Sequence, residues 1–190
     1  IDSIKKAVDI FSKKNIHFAL MHTTNLYPTP NKLIRLGAIN DLKNEFPETP
    51  IGLSDHSITN HACFGAVALG ASILERHFTD DMNRKGPDIV CSMDPIAAKE
   101  LLEGSKIIFE QRGGKKEAIK EEQITMDFAF STVVTIKNIK KGDIFDEKNI
   151  WVKRPGTGEI KAESFKGILG KKSLVDLMPD THLKWLDVEK

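Results

Sequence analysis

Two of the six histidines in the 190-residue chain, His56 and His77, each stand just past a short apolar run, in "IGLSDHS" (51–57) and "GASILERHFTD" (70–80). One helix-length segment separates the runs, which is the spacing of consecutive strands in a parallel β/α architecture. In such architectures ligands gather at the C-terminal strand ends. Neighbouring strands lie about 4.8 Å apart, so imidazoles from adjacent ends can share one divalent ion at about 2.0–2.2 Å. Spacing alone leaves a second reading open, in which both are loop histidines making ordinary hydrogen bonds.

Other polar residues fall at the same rim. Asn25 and Tyr27 follow the first strand-like run, Ser54 and Asp55 adjoin His56, Glu75 and Arg76 precede His77, and Asp88 lies in the loop beyond. Alternation along a strand puts Glu75 and His77 on one face and turns Arg76 to the other. Glu75 then reads either as a base or partner beside a metal-ligating histidine, or as half of a buried salt bridge. His17 reads as the start of a strand, His22 as core packing, His61 as helical and His182 as part of a later β-rich segment. Cys91 has no histidine at motif spacing, so no nucleophilic role is assigned to it.

The elements that must position these residues follow from periodicity. Helical spacing of Ile4, Ala7, Val8 and Phe11 opens the chain, and strands are expected at 16–24, 51–57 and 72–78. Helices are expected at 31–46, at 59–71 and from 94 to 112, the last with Asp94 as N-cap and Pro95 at its first position. The order α-β-α-β-α-β-α implies a parallel sheet with right-handed crossovers, either doubly wound or a (β/α) barrel. No G-x-G-x-x-G follows a strand, which removes support for a dinucleotide-binding version. The expected division is a (β/α) unit over 1–112, a charged linker over 113–125 and a β-rich module over 126–190. That module is near the small end of what one core stabilises, so it is expected to lean on the rest of the protein or on a partner subunit.

Composition narrows the function classes. Hydrophobic residues make up 40% and charged residues 29%, and the formal net charge of +1 gives no bulk electrostatic case for nucleic acid or a membrane surface. No apolar run approaches a membrane span and none reads as a signal peptide. The two cysteines, Cys63 and Cys91, form neither a disulfide framework nor a metal knuckle, so a cytoplasmic location is expected.

Four stretches together, "NLYPTP", "IGLSDHS", "GAVALGASILERHFTDDMNRKGPDIVCSMD" and "WVKRPGTG", resemble the bacterial N-acetylneuraminate (sialic acid) synthases from about Leu20 to the end of the chain. The resemblance implies an α/β fold: the C-terminal portion of a (β/α)8 TIM barrel followed by a small β-rich SAF domain of the antifreeze-like, β-clip type. It implies condensation of phosphoenolpyruvate with N-acetylmannosamine to N-acetylneuraminate and phosphate. His56 and His77 would hold a divalent cation, Mn2+ or Mg2+, that polarises the aldehyde oxygen of the open-chain sugar. Asn25, Tyr27 and Ser54 resemble contacts to phosphoenolpyruvate, and Asp88 resembles a residue bonded to sugar hydroxyls. Glu75 resembles the carboxylate that handles protons or water beside the metal. Arg154 resembles an arginine that reaches the N-acetyl group across a domain-swapped homodimer, although by itself it reads as a surface residue before a turn.

The chain departs from the family pattern in two places. It holds about three of eight barrel strands, which points to a fragment with exposed sheet edges and no synthase activity by itself. "LMPDTHL" (177–183) stands where a Lys-Gly turn is more usual, and Pro179-Asp180 can also turn. Two further readings stay open: a synthase for legionaminic, pseudaminic or a 9-phosphorylated product, and a non-catalytic carbohydrate-binding remnant. Arg84 and Lys85 leave the phosphorylated sugar possible, whereas the retained His56, Glu75, His77 and Asp88 speak against decay.

Overall fold

A computed structural model describes all 190 residues, and the chain divides into two compact units, Ile1–Lys115 and Lys116–Lys190. The first unit runs α1 (Asp2–Lys13), β1 (Leu20–Thr23), α2 (Gly37–Glu45), β2 (Ile51–Asp55), α3 (His61–Ala68), β3 (Ile73–Arg76) and α4 (Pro95–Gln111). The three strands form one parallel sheet in the order β1-β2-β3.

Each strand is shorter than its apolar run because pairing, not hydrophobicity, sets its length. β1 begins only at Leu20, whose amide donates to Pro50 at the mouth of β2, and His17 lies ahead of it outside any strand. The expected helix at 31–46 is broken. Asn31–Leu33 make a single 3-10 turn, Arg35 takes a left-handed φ of 53°, and a regular helix resumes at Gly37. A left-handed residue cannot continue a right-handed helix. α3 stops at Ala68, and Gly70, at φ 94°, supplies the left-handed step that returns the chain to β3.

Register sorts the strand residues onto two faces. Leu20 with Ile51, and His22 with Leu53 and Leu74, share the face that packs on the helices. There Ile51, Leu53, Ile39, Leu42, Ala62, Cys63, Ala66 and Leu101 form the core. Met21, Gly52 and Ile73, and then Thr23, Ser54 and Glu75, share the other face, where Ile73 and Glu75 are exposed. Gly52 has a packing reason, since a Cβ there would lie 2.6 Å from the Ile73 carbonyl oxygen. α4 opens as the sequence implies, with the Asp94 carboxylate accepting from the Ala97 amide at 2.7 Å and Pro95 in the first turn.

The second unit is less regular than a β-rich reading suggests. A 3-10 turn at Lys120–Glu122 and a short helix, α5 (Gln123–Ala129), occupy part of the charged stretch read as a linker. Only β4 (Thr132–Thr135) and β5 (Ile150–Lys153) are full strands, paired antiparallel, and α6 (Phe165–Ile168) is a single turn. Isolated bridges such as Ile139–Leu177 and Ser173–Val188 tie the intervening loops together. Val133, Phe145, Ile150, Ile160 and Leu183 are fully enclosed in its core. Gly158, in the "RPGTG" turn, sits against the hydrogen-bonded pair of buried Thr132 Oγ1 and half-buried His182 Nδ1, 2.7 Å apart.

Candidate functional site at the strand ends

Three consecutive chain segments leave the sheet side by side: Thr24–Pro28 after β1, His56–Thr59 after β2 and His77–Thr79 after β3. His56 Nδ1 lies 3.0 Å from the Thr24 carbonyl oxygen, and the Thr29 amide donates to the His56 carbonyl at 2.9 Å. A carbonyl only accepts, so Nδ1 is the donor in this contact and Nε2 is the nitrogen left for a further partner. Tyr27 stacks on the imidazole, with centroids 4.1 Å apart and rings inclined by 26°. The His77 ring lies 5.2 Å from that of His56 and 5.7 Å from Tyr27. The three rings form one cluster built from three different strand ends.

Glu75 lies on the same face as His77, and the Ser54 hydroxyl donates to its Oε2 at 2.6 Å. The buried salt bridge that sequence allowed for Glu75 belongs instead to Arg76, which reaches Asp55 on the helix-packed face. Asp55, which the sequence places at the rim beside Ser54, therefore faces away from it. His22 is also settled on the packed face, with Nε2 2.6 Å from the Ile34 carbonyl oxygen.

Asp88 and Cys91 approach His77 from the following loop. His77 Nδ1 stands 3.9 Å from Asp88 Oδ2 and 3.9 Å from Cys91 Sγ, and one ligand atom from each of the three residues falls within 4.8 Å of the others. Sequence spacing missed the Cys91–His77 approach because it depends on the 3-10 turn Ile89–Cys91, with the Cys91 amide donating to the Asp88 carbonyl at 3.2 Å. Burial, reinforced by the Asp88 charge, pushes the Cys91 thiol up, so it is a weak nucleophile, and Sγ donates to the Asp88 carbonyl at 3.3 Å.

The donor set suits a divalent cation. Two imidazoles with an exposed carboxylate close by offer nitrogen and oxygen donors that suit borderline and hard ions alike. Ring centroids 5.2 Å apart let one ion at ordinary nitrogen distances of about 2.1 Å touch both. His56, with its proton fixed on Nδ1 by a backbone carbonyl, has the orientation typical of a metal-ligating histidine. Of the remaining predicted residues, Asn25 lies exposed beside Tyr27 in the β1 loop. Arg154 is exposed just after β5 in the second unit.

Comparison with known proteins agrees with the two-unit division. Residues 1–117 match the NeuB family and residues 131–189 match the SAF domain. The chain is 38% identical over 175 residues to the N,N'-diacetyllegionaminic acid synthase of Campylobacter jejuni, covering 90% of this chain and 52% of that protein. It is 30% identical to the human N-acetylneuraminate-9-phosphate synthase, covering 95% and 50%. Among solved structures, the N-acetylneuraminic acid synthetase of Leptospira borgpetersenii superposes with a TM-score of 0.61 at 37% identity, covering 66% of this chain and 44% of that one. The chain thus spans about half the length of the curated relatives it matches.

Proposed function

Because the chain belongs to the NeuB family through residues 1–117 and carries a SAF domain over 131–189, we propose that it is part of a nonulosonate synthase. In this reading its parallel sheet is one segment of a (β/α)8 barrel. The enzyme joins carbon 3 of phosphoenolpyruvate to the aldehyde carbon of N-acetylmannosamine and releases inorganic phosphate, in the cytoplasm. The observation that supports it most is the convergence of Tyr27, His56 and His77 at three consecutive strand ends, with Glu75 on the face of His77.

His56 and His77 would hold a divalent cation, Mn2+ or Mg2+, which when bound supplies Lewis-acid polarisation of the sugar aldehyde. The chain's own residues do the rest. Tyr27 covers one face of the His56 ring and keeps water from it. Asn25, Tyr27 and the Ser54 hydroxyl face phosphoenolpyruvate, and Asp88 accepts a hydrogen bond from a sugar hydroxyl. As the carbon–carbon bond forms, positive charge develops at carbon 2. Glu75, whose Oε2 accepts from the Ser54 hydroxyl, takes the proton of the water that attacks that carbon. Glu75 returns that proton to the former aldehyde oxygen, which becomes a hydroxyl. The carbon–oxygen bond to phosphate then breaks, phosphate departs with the electron pair and with the remaining C2 hydroxyl proton, and the carbonyl at carbon 2 forms. Arg154 is assigned, through the family resemblance, to the N-acetyl group of the sugar in a domain-swapped homodimer.

A second reading rests on the 38% identity to the Campylobacter legionaminic acid synthase. There the sugar is an N,N'-diacetylated analogue, and the site chemistry is unchanged.

The test is phosphate release from phosphoenolpyruvate in the presence of manganese and each sugar. It is run on this chain and on a version joined to the N-terminal half of a relative. The reading expects release only from the completed version, lost on His77→Ala. A folded, completed protein that is inactive with both sugars overturns it.

A further inference from the structure

The residues immediately before the two histidines form a buried pair on the opposite face of the sheet. Asp55 and Arg76 are register partners on β2 and β3, and each side chain is only 1% exposed. Arg76 Nε stands 3.2 Å from Asp55 Oδ2, out of line for a hydrogen bond, so this link is electrostatic. The guanidinium's directional bonds go elsewhere: Nη1 donates to Asn60 Oδ1 and Nη2 to the Ser57 carbonyl, both at 2.6 Å. Asp55 in turn accepts from the Ser57 amide at 3.0 Å and the Ser57 hydroxyl at 2.8 Å. Asn60 passes the connection to α4, donating to the Ala97 carbonyl and to Glu100 Oε2, each at 2.8 Å.

We propose that Arg76 and Asp55 are positioning residues: a buried clamp that fixes where His56 and His77 emerge on the other face of the sheet. Alternation supplies the lever. A side chain locked on one face sets the peptide plane from which the next residue projects on the other. Arg76 grips the 57–60 turn from β3, so the segment carrying His56 is held by the strand carrying His77. A pair serving the core alone would do as well with apolar residues of similar volume, since burying charge is costly. The fork of guanidinium bonds instead fixes direction and distance, which an apolar contact does not. The inference rests on the reading of His56 and His77 as cation ligands, but the ring geometry it concerns is measurable with no cation present.

The test compares the chain with its Arg76→Lys and Asn60→Ala variants. Lysine keeps the charge and loses the fork, and alanine leaves the ion pair intact while cutting one tether. Each is checked for folding by circular dichroism. Proton–proton NOEs among the Tyr27, His56 and His77 rings are recorded without metal, and Mn2+ affinity is measured by EPR. Arg76→Lys is expected to remain folded, to weaken the His56–His77 and His56–Tyr27 NOEs, and to bind Mn2+ about 10- to 100-fold less tightly. Asn60→Ala moves both readouts the same way by less, and it decides the matter if Arg76→Lys does not fold. Folded variants with unchanged ring NOEs and unchanged affinity overturn the clamp. Should the unmodified chain bind no Mn2+, the cation reading falls, and the NOEs alone decide the clamp.

Discussion

Ser54 and Glu75 are register partners on adjacent parallel strands, and the serine hydroxyl donates to Glu75 Oε2 at 2.6 Å. The next register pair, Asp55 with Arg76, makes an ion pair on the opposite face. One register therefore builds both the chemically accessible carboxylate and the buried pair behind it. A shift by one residue would exchange the two faces. Glu75→Gln in the completed synthase is expected to lower kcat by about 10²- to 10⁴-fold, the range for losing one general base. Mn2+ affinity should stay within about twofold, because the substitution spares both imidazoles and the clamp. Steady-state phosphate release alongside Mn2+ titration separates the two effects, and equal losses in both would instead make Glu75 a cation ligand.

Removal of either imidazole tests the cation reading directly. His56→Ala and His77→Ala should each weaken Mn2+ binding more than the roughly 10- to 100-fold expected of a supporting residue. His56→Ala also removes the Tyr27 stack and the Thr24 contact. Asp88→Asn should have a smaller effect on the cation, since the partner proposed for its carboxylate is a sugar hydroxyl and the amide keeps an oxygen within the same reach of His77. Calorimetric titration of the folded variants supplies the ranking, and indifference of both histidine variants would remove the metal from the site.

Cys63 gives a pH prediction with a definite sign. Burial, and next the Asp55 carboxylate, push its thiol up to about 12. Against an ordinary thiol near 8.5–9, the folded state holds the proton more tightly than the unfolded state does. The associated stability is complete below about pH 9 and is lost as pH rises towards 12. Urea melts between pH 8 and 11 should therefore show the chain losing stability faster than a Cys63→Ala variant. Parallel slopes would mean the thiol does not contribute. Below pH 9 Cys63 should also resist alkylation until the protein unfolds.

Two glycines are required by packing rather than by backbone conformation. At Gly52 a Cβ would meet the Ile73 carbonyl oxygen at 2.6 Å, and at Gly158 it would meet Thr132 Oγ1 at 2.6 Å and His182 Nδ1 at 2.7 Å. Alanine at either site forces atoms apart in an occupied interior, at a cost of about 1–3 kcal/mol. Gly158→Ala should lower the melting transition of the SAF unit and leave Mn2+ binding by the first unit unchanged. Gly52→Ala should lower the melting transition of the first unit and weaken its Mn2+ binding, because it separates the two strands that carry the histidines. Calorimetry of the two variants checks the contrast.

Much of this was legible in the residues themselves. The position of His56 and His77 just beyond consecutive strands, the alternation separating Glu75 from Arg76, and the Asp94-Pro95 helix start are local properties. They follow from side-chain period and capping chemistry over a few residues. The family was legible too, because "LERHFT" and "KRPGTG" are contiguous strings.

Contacts across the sheet were not. Spacing in the chain says that Glu75 shares a face with His77, but only the pairing of β2 with β3 decides that its neighbour is Ser54 and that Asp55 turns inward to Arg76. The break at Arg35, which splits an apolar pattern periodic enough for one long helix, rests on a single left-handed residue that periodicity does not report. Cys91 comes to His77 through a one-turn loop fold. Local sequence fixes which side chains can point to a common face, because backbone geometry repeats every two or 3.6 residues. Which of them touch depends on register and loop path, and these are decided by the packing of segments far apart in the chain.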